Sequence, residues 1–371
     1  MKLLPDIARI HRAATRVYTL LPYHLARSGY ALPPRFFVFE MTRRCNLRCQ
    51  MCQYIQWLRE TPPAQQKEGE LTTEEWLAVI RQAPRLGLVS FTGGEPFVRP
   101  DFLELLGFAS SRCRTHLITN GTMFTEERAR NLIDFAPRRF GGAGFNILGV
   151  SIEGPEEVND RIRGEGAYGK SIEAIRMVSS MRRDRGRKCP LIHVTTVIQK
   201  GNLDYVSWMP QIVADAGGDV VNLTLEVRNQ ELQGFGSRDP AAYSMSQLNS
   251  PRLDSQRIAD ALRDTRRAAE KAGIELRTPN MPDGEIVRYY AGQSDPRDFR
   301  CPPLWSTLII GSKGDIHPCW ITSVGNVRET SLKTAWNNDK FKAFRRRARQ
   351  GLFTPCAGCC MLSYHAANNR H

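Results

Sequence analysis

No stretch of this 371-residue chain is apolar for long enough to span a bilayer. No clean apolar segment opens it either: Lys2, Arg9, Arg12 and Arg16 interrupt the first twenty residues, which argues against the h-region of a secretory signal. Carboxylates are scarce, 38 Asp and Glu against 52 Lys and Arg, leaving a formal charge of +14. Such a surface attracts anions, whether nucleic acid, phosphorylated metabolites or lipid headgroups; a genome biased towards Arg codons would give the same count with no ligand. Also missing is the regular spacing of a secreted disulfide framework, because the ten cysteines gather mainly towards the two ends of the sequence. Thiolate metal ligands need a reducing compartment, so the chain is expected in the cytoplasm.

Residues 1–32 carry Leu3, Ile7, Ile10, Ala14, Val17 and Leu21 at spacings of four and three, one face of a helix. Arg9, Arg12 and Arg16 lie off that stripe. A basic amphipathic helix can lie on a membrane surface; the preferred expectation is a helix docked on the main domain, with peripheral membrane contact through residues 1–22 left open. From 33 to 227, strand-like segments at 35–42, 87–92, 115–120, 145–153, 191–198 and 219–227 alternate with helical patterns at 73–84, 101–112, 125–135, 168–183 and 203–216. That alternation argues for a parallel sheet, and right-handed crossovers curl it towards a barrel. Residues 228–300 are polar, with one helix near 254–272, and read as a bridging region. The run "FKAFRRRARQ" at 341–350 reads as a solvated helix face, because RNA-binding modules interleave aromatics for base stacking.

The most constraining motif is "MTRRCNLRCQMC", with Cys45, Cys49 and Cys52 at C-x3-C-x2-C spacing. Three such thiolates hold three irons of a cubane [4Fe–4S] cluster and leave the fourth without a protein ligand, whereas electron-transfer clusters normally take four cysteines. An open iron implies an added ligand and a reactive cluster. Zinc and plain buried thiols are the alternatives; zinc takes a fourth ligand and usually paired C-x2-C or C/H spacing. With "TGGEP" closing the second strand, the run resembles the radical S-adenosylmethionine (AdoMet) superfamily. The resemblance implies that AdoMet occupies the open iron through its amino and carboxylate groups, and that one electron cleaves it to a 5′-deoxyadenosyl radical. It also implies a (β/α)6 partial barrel with the cluster in the loop after the first strand. Cys45 follows that strand directly, and ligands of parallel α/β barrels sit at the C-terminal strand ends.

The same resemblance assigns Gly93, Gly94 and Glu95 to the AdoMet ammonium group, the glycines because a side chain would collide with a ligand held by backbone. Asn120 in "ITNGT", and Ser151 and Glu153 in "GVSIEG", resemble contacts to the ribose and methionyl parts. Arg163 in "DRIRG" resembles a partner of the AdoMet carboxylate. Asn120–Gly121 is also an ordinary turn signal. Met51 stands where the superfamily often has an aromatic near the adenine; a thioether makes a similar soft contact. Along the strands, His193 and Thr195 share one parity, as do Asn222, Thr224 and Glu226, opposite apolar neighbours. Successive side chains face opposite sides, so a polar lumen is expected, with His193, Asn222 and Glu226 as substrate-side candidates. A solvated barrel mouth would give the same pattern.

Cys301, Cys319, Cys356 and Cys359, with Gly314 five residues before Cys319 and Cys360 next to Cys359, resemble an auxiliary-cluster extension of the SPASM/twitch type. The set suits a second, fully ligated [4Fe–4S] cluster. A structural zinc site is the alternative, and Cys360 in place of Cys359 stays open. The full SPASM pattern continues with more cysteines, so the shorter twitch form with one extra cluster is expected. Cys113 and Cys189 are expected to be buried thiols. The expected fold is an α/β partial (β/α)6 barrel over 33–227, between an N-terminal helix region, 1–32, and a bridging region, 228–300, that leads to a small twitch-like domain, 301–371. The expected activity is AdoMet cleavage and hydrogen abstraction from a small polar or anionic metabolite, with the auxiliary cluster as electron acceptor and a flavodoxin or ferredoxin as reductant. Maturation of a ribosomally made peptide ranks second, because residues 1–32 are too short for a winged-helix peptide-binding module. A cluster-bearing nucleic-acid regulator ranks third, since it leaves the open iron without a purpose.

Overall fold

The computed structural model describes residues 17–138, 141–227, 251–353, 356 and 358–365. Leu3, Ile7, Ile10 and Ala14 of the N-terminal stripe, and residues 228–250 of the bridging region, lie outside the described residues. Six strands, β1 (Phe36–Glu40), β2 (Leu88–Thr92), β3 (Arg114–Thr119), β4 (Gly144–Ser151), β5 (Leu191–Ile198) and β6 (Val220–Leu225), follow the expected segments. They pair in sequence order and all parallel. Helices Thr73–Arg81, Phe102–Ser110, Glu126–Phe135, Ala167–Asp184 and Met209–Ala216 make the crossovers. Local signals set their ends: Thr72 and Glu75 form a capping box, and Thr125 caps the Arg128 amide. Phe39, Phe91, Leu117, Leu148, Ile192 and Val194 are fully buried in the strands' apolar parity and belong to one continuous core with those helices. This is the partial (β/α)6 barrel.

The sheet does not end at six strands. Beyond β6 it gains β7 (Glu275–Arg277), parallel. The C-terminal segment opens with a two-residue strand, β8 (Phe299–Arg300). Next comes β9 (Thr307–Ile310), which pairs parallel with β1, then β10 (Asp315–His317) and β11 (Gly325–Asn326), antiparallel. The last strand, β12 (Ser363–Tyr364), returns to pair with β8. The segment expected as an appendage thus adds three strands to the barrel's own ten-stranded sheet. Gly314 turns the β9–β10 connection at φ +90°, where a Cβ would meet Asn326 Oδ1 at 2.9 Å; only glycine takes that turn without strain.

The basic run at 341–350 is only in part a solvated face: Arg346 is exposed, but Arg345 is not. On helix Asp339–Gln350, Arg345 is fully buried, its guanidinium carbon 4.1 Å from the Trp336 ring centre and 3.9 Å from that of Phe341. It donates to Leu304 O (2.8 Å), Gly29 O (3.2 Å) and Asn337 Oδ1 (2.9 Å). Arg346 donates to Ser28 O, and Arg349 to the carbonyls of Pro22, Tyr23 and Ala26. Those carbonyls belong to the last turn of the helix at 17–25 and the residue after it, so cations neutralise the negative end of that helix. Tyr23 packs edge-on against Trp305 at 4.8 Å. The N-terminal helix is docked, as expected, but its inner face is Thr19, Pro22 and Tyr23, while Val17 and Leu21 of the stripe face solvent.

Candidate active site

The cysteine loop leaves the end of β1 and is held by backbone before any thiol is involved. Gly94 N donates to Thr42 O at 2.8 Å, and Glu95 N to Arg44 O at 2.9 Å. The two chains run so close that a Cβ on Gly93 would lie 2.2 Å from Thr42 O, and one on Gly94 2.2 Å from Arg44 O. The glycines were expected to admit a ligand; first of all they admit the cysteine loop itself. From the other side, Glu70 accepts from Thr42 Oγ1 and from Arg44 Nη2 (2.8 Å).

Each thiol meets an N–H group: Cys45 Sγ that of Leu47 (3.4 Å), Cys52 Sγ that of Tyr54 (3.4 Å), and Cys49 Sγ the Arg163 guanidinium (3.9 Å). N–H groups aimed at sulfur favour thiolate, and in clusters they tune potential. Burial pulls the other way and pushes the Cys45 thiol up to about 11, with Cys49 and Cys52 raised as well. Metal binding supplies the positive charge that such buried thiolates need, with release of protons. The three thiols line one wall of a cavity of about 250 Å³. Gly93, Gly94, Asn120, Ser151 and Arg163 are among the residues that line the rest, as are Met51 and Tyr54. Soft sulfur donors on one side of a cavity and polar groups on the other fit a cluster whose remaining ligand is a small polar molecule.

Two expected ligand contacts are placed differently. Glu95 is fully buried behind the cavity wall; its carboxylate accepts from Phe97 N (3.1 Å), Thr119 Oγ1 (2.9 Å) and Asn120 N (2.8 Å). Burial raises its pKa to about 6 in spite of those bonds. Its role here is to tie the ends of β2 and β3 together. Glu153, also fully buried, accepts Arg163 Nε (3.1 Å) and Nη2 (2.5 Å) and the Val197 amide (2.9 Å). A buried carboxylate beside a buried guanidinium pairs with it, so Glu153 positions Arg163, and Arg163 faces the cavity. Asn120 closes the expected turn, its Oδ1 accepting Thr122 N, and its Nδ2 reaches Asn46 Oδ1 (2.9 Å) and Cys45 Sγ (3.8 Å) at the cavity wall.

His193, Asn222 and Glu226 lie outside that cavity. Asn222 Nδ2 reaches Thr195 Oγ1 at 3.5 Å, as shared parity requires. Burial lowers His193 to about 4, helped by Arg277, and its Nε2 has no hydrogen-bond partner among the described residues. Glu226 follows β6; its carbonyl accepts the Tyr289 hydroxyl (2.7 Å) and abuts Gly358 of the C-terminal cysteine loop. Sequence reasoning missed His116 on β3, whose Nδ1 sits 3.0 Å from Ser90 Oγ and which burial and His193 lower to about 3. The alternation in "RTHLIT" carried the signal. Gly149 on β4 leaves the room: a Cβ there would lie 3.1 Å from His116 Nε2.

At the second cysteine group, Cys301, Cys319, Cys356, Cys359 and Cys360 act on one another's charge, and burial pushes Cys356 up to about 12. They lie between the main core and a small apolar cluster of Phe299, Leu352 and Leu362. Cys359 is half-buried and Cys360 exposed, the two hydrogen-bonded. Among the described residues, no three His, Cys, Asp or Glu side chains close on a single ion; a polynuclear cluster spreads its ligands over several metals. Cys113 and Cys189 are buried, as expected.

The sequence profile of the Radical SAM superfamily matches residues 39–206, the span that holds the three cysteines and the cavity wall. Residues 39–206 are a radical SAM domain. A second profile, the SPASM iron-sulfur cluster-binding domain, matches residues 301–360. This radical SAM enzyme therefore carries a [4Fe–4S] cluster, uses AdoMet and has an auxiliary iron–sulfur site. The PqqA peptide cyclase of Streptomyces rochei is 29% identical over 340 residues, 88% of this chain and 81% of that protein. The AdoMet-dependent heme synthase of Oleidesulfovibrio alaskensis is 25% identical over 84% of this chain and 76% of its own. Among solved structures, Streptococcus suis SuiB bound to its precursor peptide SuiA superposes with a TM-score of 0.61 at 17% identity, covering 87% of this chain and 69% of that one. AnSMEcpe with bound AdoMet gives 0.57 at 16% identity, covering 89% and 92%. At such identities the structures speak for the fold alone. Among the described residues no helix is long and apolar enough to cross a membrane.

Proposed function

We propose that this radical SAM enzyme matures a ribosomally made peptide. The observation that carries the reading is the likeness, along most of both chains, to the PqqA peptide cyclase; the shared fold with SuiB is in keeping with it. The expectation of a small anionic metabolite rested on the short N-terminal segment, and the relatives weigh against it. When bound, the cluster at Cys45, Cys49 and Cys52 supplies the electron that splits AdoMet into methionine and a 5′-deoxyadenosyl radical. The chain's own residues do the rest. Gly93 and Gly94 would offer backbone to the amino end of AdoMet, and Arg163, held by Glu153, would offer charge to its carboxylate. Asn120 and Ser151 would contact the ribose and methionyl parts, and Met51 the adenine. His193, Asn222 and Glu226, with His116, would meet the substrate along the lumen. Cys301, Cys319, Cys356 and Cys359 would hold the auxiliary cluster, in reach of an electron left on the substrate.

A small-molecule substrate is the second reading, favoured by the likeness to AdoMet-dependent heme synthases. Anaerobic reconstitution, iron counting and mass spectrometry separate the two. About eight irons per chain are expected for two cubanes, with 5′-deoxyadenosine formed under strong reduction. Short peptides encoded beside the gene should then lose a pair of hydrogens per turnover. If they remain unchanged while a tetrapyrrole is converted, the peptide reading fails.

A further inference from the structure

The barrel end remote from the cysteine loop carries a surface that this chemistry does not use. On the helix at 17–25, Val17, Leu21 and Leu25 are 62%, 52% and 70% exposed, and their spacing of four puts them on one stripe. The helix is fastened to the start of β1: the Tyr18 hydroxyl donates to Pro33 O (3.0 Å), and the Arg35 guanidinium lies 5.1 Å from the Tyr18 ring centre. Arg35 O accepts the Leu88 amide at 2.9 Å, and Leu86, 76% exposed, projects from the turn just before. Three segments at this end, 26–35, 81–88 and 110–115, contain Arg27, Arg35, Arg81, Arg85, Arg112 and Arg114 and no Asp or Glu. Arg112 donates to Arg81 O, and both guanidinium groups lean on the Phe108 ring.

We propose that this face docks the enzyme on an anionic lipid surface, with the AdoMet cavity turned away from it. Large apolar side chains at that exposure gain by entering the acyl boundary, and each arginine beside it is drawn to negative headgroups. A nucleic acid would use the arginines, and Tyr30 offers one exposed ring for stacking, but Val17, Leu21, Leu25 and Leu86 would stay in water. A second copy of the chain would cover the leucines but set arginine against arginine, which like-charge repulsion opposes. In the sequence the apolar spacing runs back through Ala14, Ile10, Ile7 and Leu3, with Arg9, Arg12 and Arg16 between.

The test is sedimentation of the full, reconstituted chain with vesicles of phosphatidylcholine plus phosphatidylglycerol, against phosphatidylcholine alone. Binding to the anionic vesicles is expected, weakening as salt rises. It should fall on the order of tenfold or more in a Leu21→Glu, Leu25→Glu double variant, and measurably in Leu86→Glu, while deoxyadenosine production in solution is unchanged. No binding, equal binding to neutral vesicles, or binding indifferent to all three substitutions overturns the proposal. So does an RNA complex that survives the double substitution in a chain that ignores vesicles, or a dimer that the same substitution splits.

Discussion

At the scale of single residues, two fully buried carboxylates hold other groups of the site in place: Glu95 the Asn120 amide, and Glu153 the Arg163 guanidinium. Glu153 pairs with Arg163 where both side chains are buried, so Glu153→Ala leaves that cation without its counter-charge. The expected cost is about 3–5 kcal/mol, read as a lower denaturation midpoint; an unchanged midpoint would show that Arg163 finds another partner. His193 gives a pH-dependent counterpart. Its folded pKa of about 4 lies below the unfolded value of 6.5, so between those limits the unfolded chain binds a proton that the folded chain refuses. Stability is therefore complete above pH 6.5 and declines as the pH falls towards 4, by about 2 kcal/mol at pH 5. Urea unfolding of the metal-free chain at pH 7 and pH 5 checks this, and His193→Gln should remove that share of the difference. The cysteine triad was legible because its spacing is itself the chemistry. Glu95 and Glu153 were legible as site residues but not as supports, since a motif gives proximity and not which way a carboxylate points. His116 was overlooked although its strand alternates as clearly as that of His193.

At the scale of elements, two close approaches decide the architecture. The strand-end glycines meet the cysteine loop, and in Gly94→Ala the new methyl group would fall 2.2 Å from Arg44 O and 2.6 Å from Arg43 O. Backbone has to move, so iron after reconstitution should drop from about eight to about four per chain, the auxiliary site being kept; an undiminished count would refute the loop's dependence on that contact. On helix Asp339–Gln350, the Arg345 guanidinium sits over both the Trp336 and Phe341 rings, which meet edge-on, and reaches three acceptors. Lysine keeps the charge but not the plane or the fork. Arg345→Lys should cost about 2–3 kcal/mol in urea unfolding, and a loss near zero would make the charge alone sufficient. The run "FRRRAR" reads as surface because charge usually is surface; Phe341 and Phe344, buried on the same helix, were the sign of a hidden face. Strands β1 to β6 could be read to within two residues at their ends because alternation and crossovers repeat. Strands β7 to β12, two to four residues each, are too short to show a period.

At the scale of the whole molecule, strands β9 to β11 of the cysteine-rich C-terminal segment belong to the barrel's own sheet. A chain ended at Arg300 would lose β9 and leave the edge of β1 open beside Phe37 and Phe39. Open apolar edges pair with other chains, so this truncation should aggregate on expression; a soluble monomer with native circular dichroism would mean that the two parts fold independently. The sequence suggested an appendage because cysteines stand out, whereas the "TLII" of β9 resembles any buried stretch. The amide bonds from Gly94 and Glu95 to Thr42 and Arg44 have one more consequence. They join backbone to backbone and use no thiol, so oxidative loss of iron is expected to leave the loop's course intact. Repair would then be a matter of refilling a preformed mould.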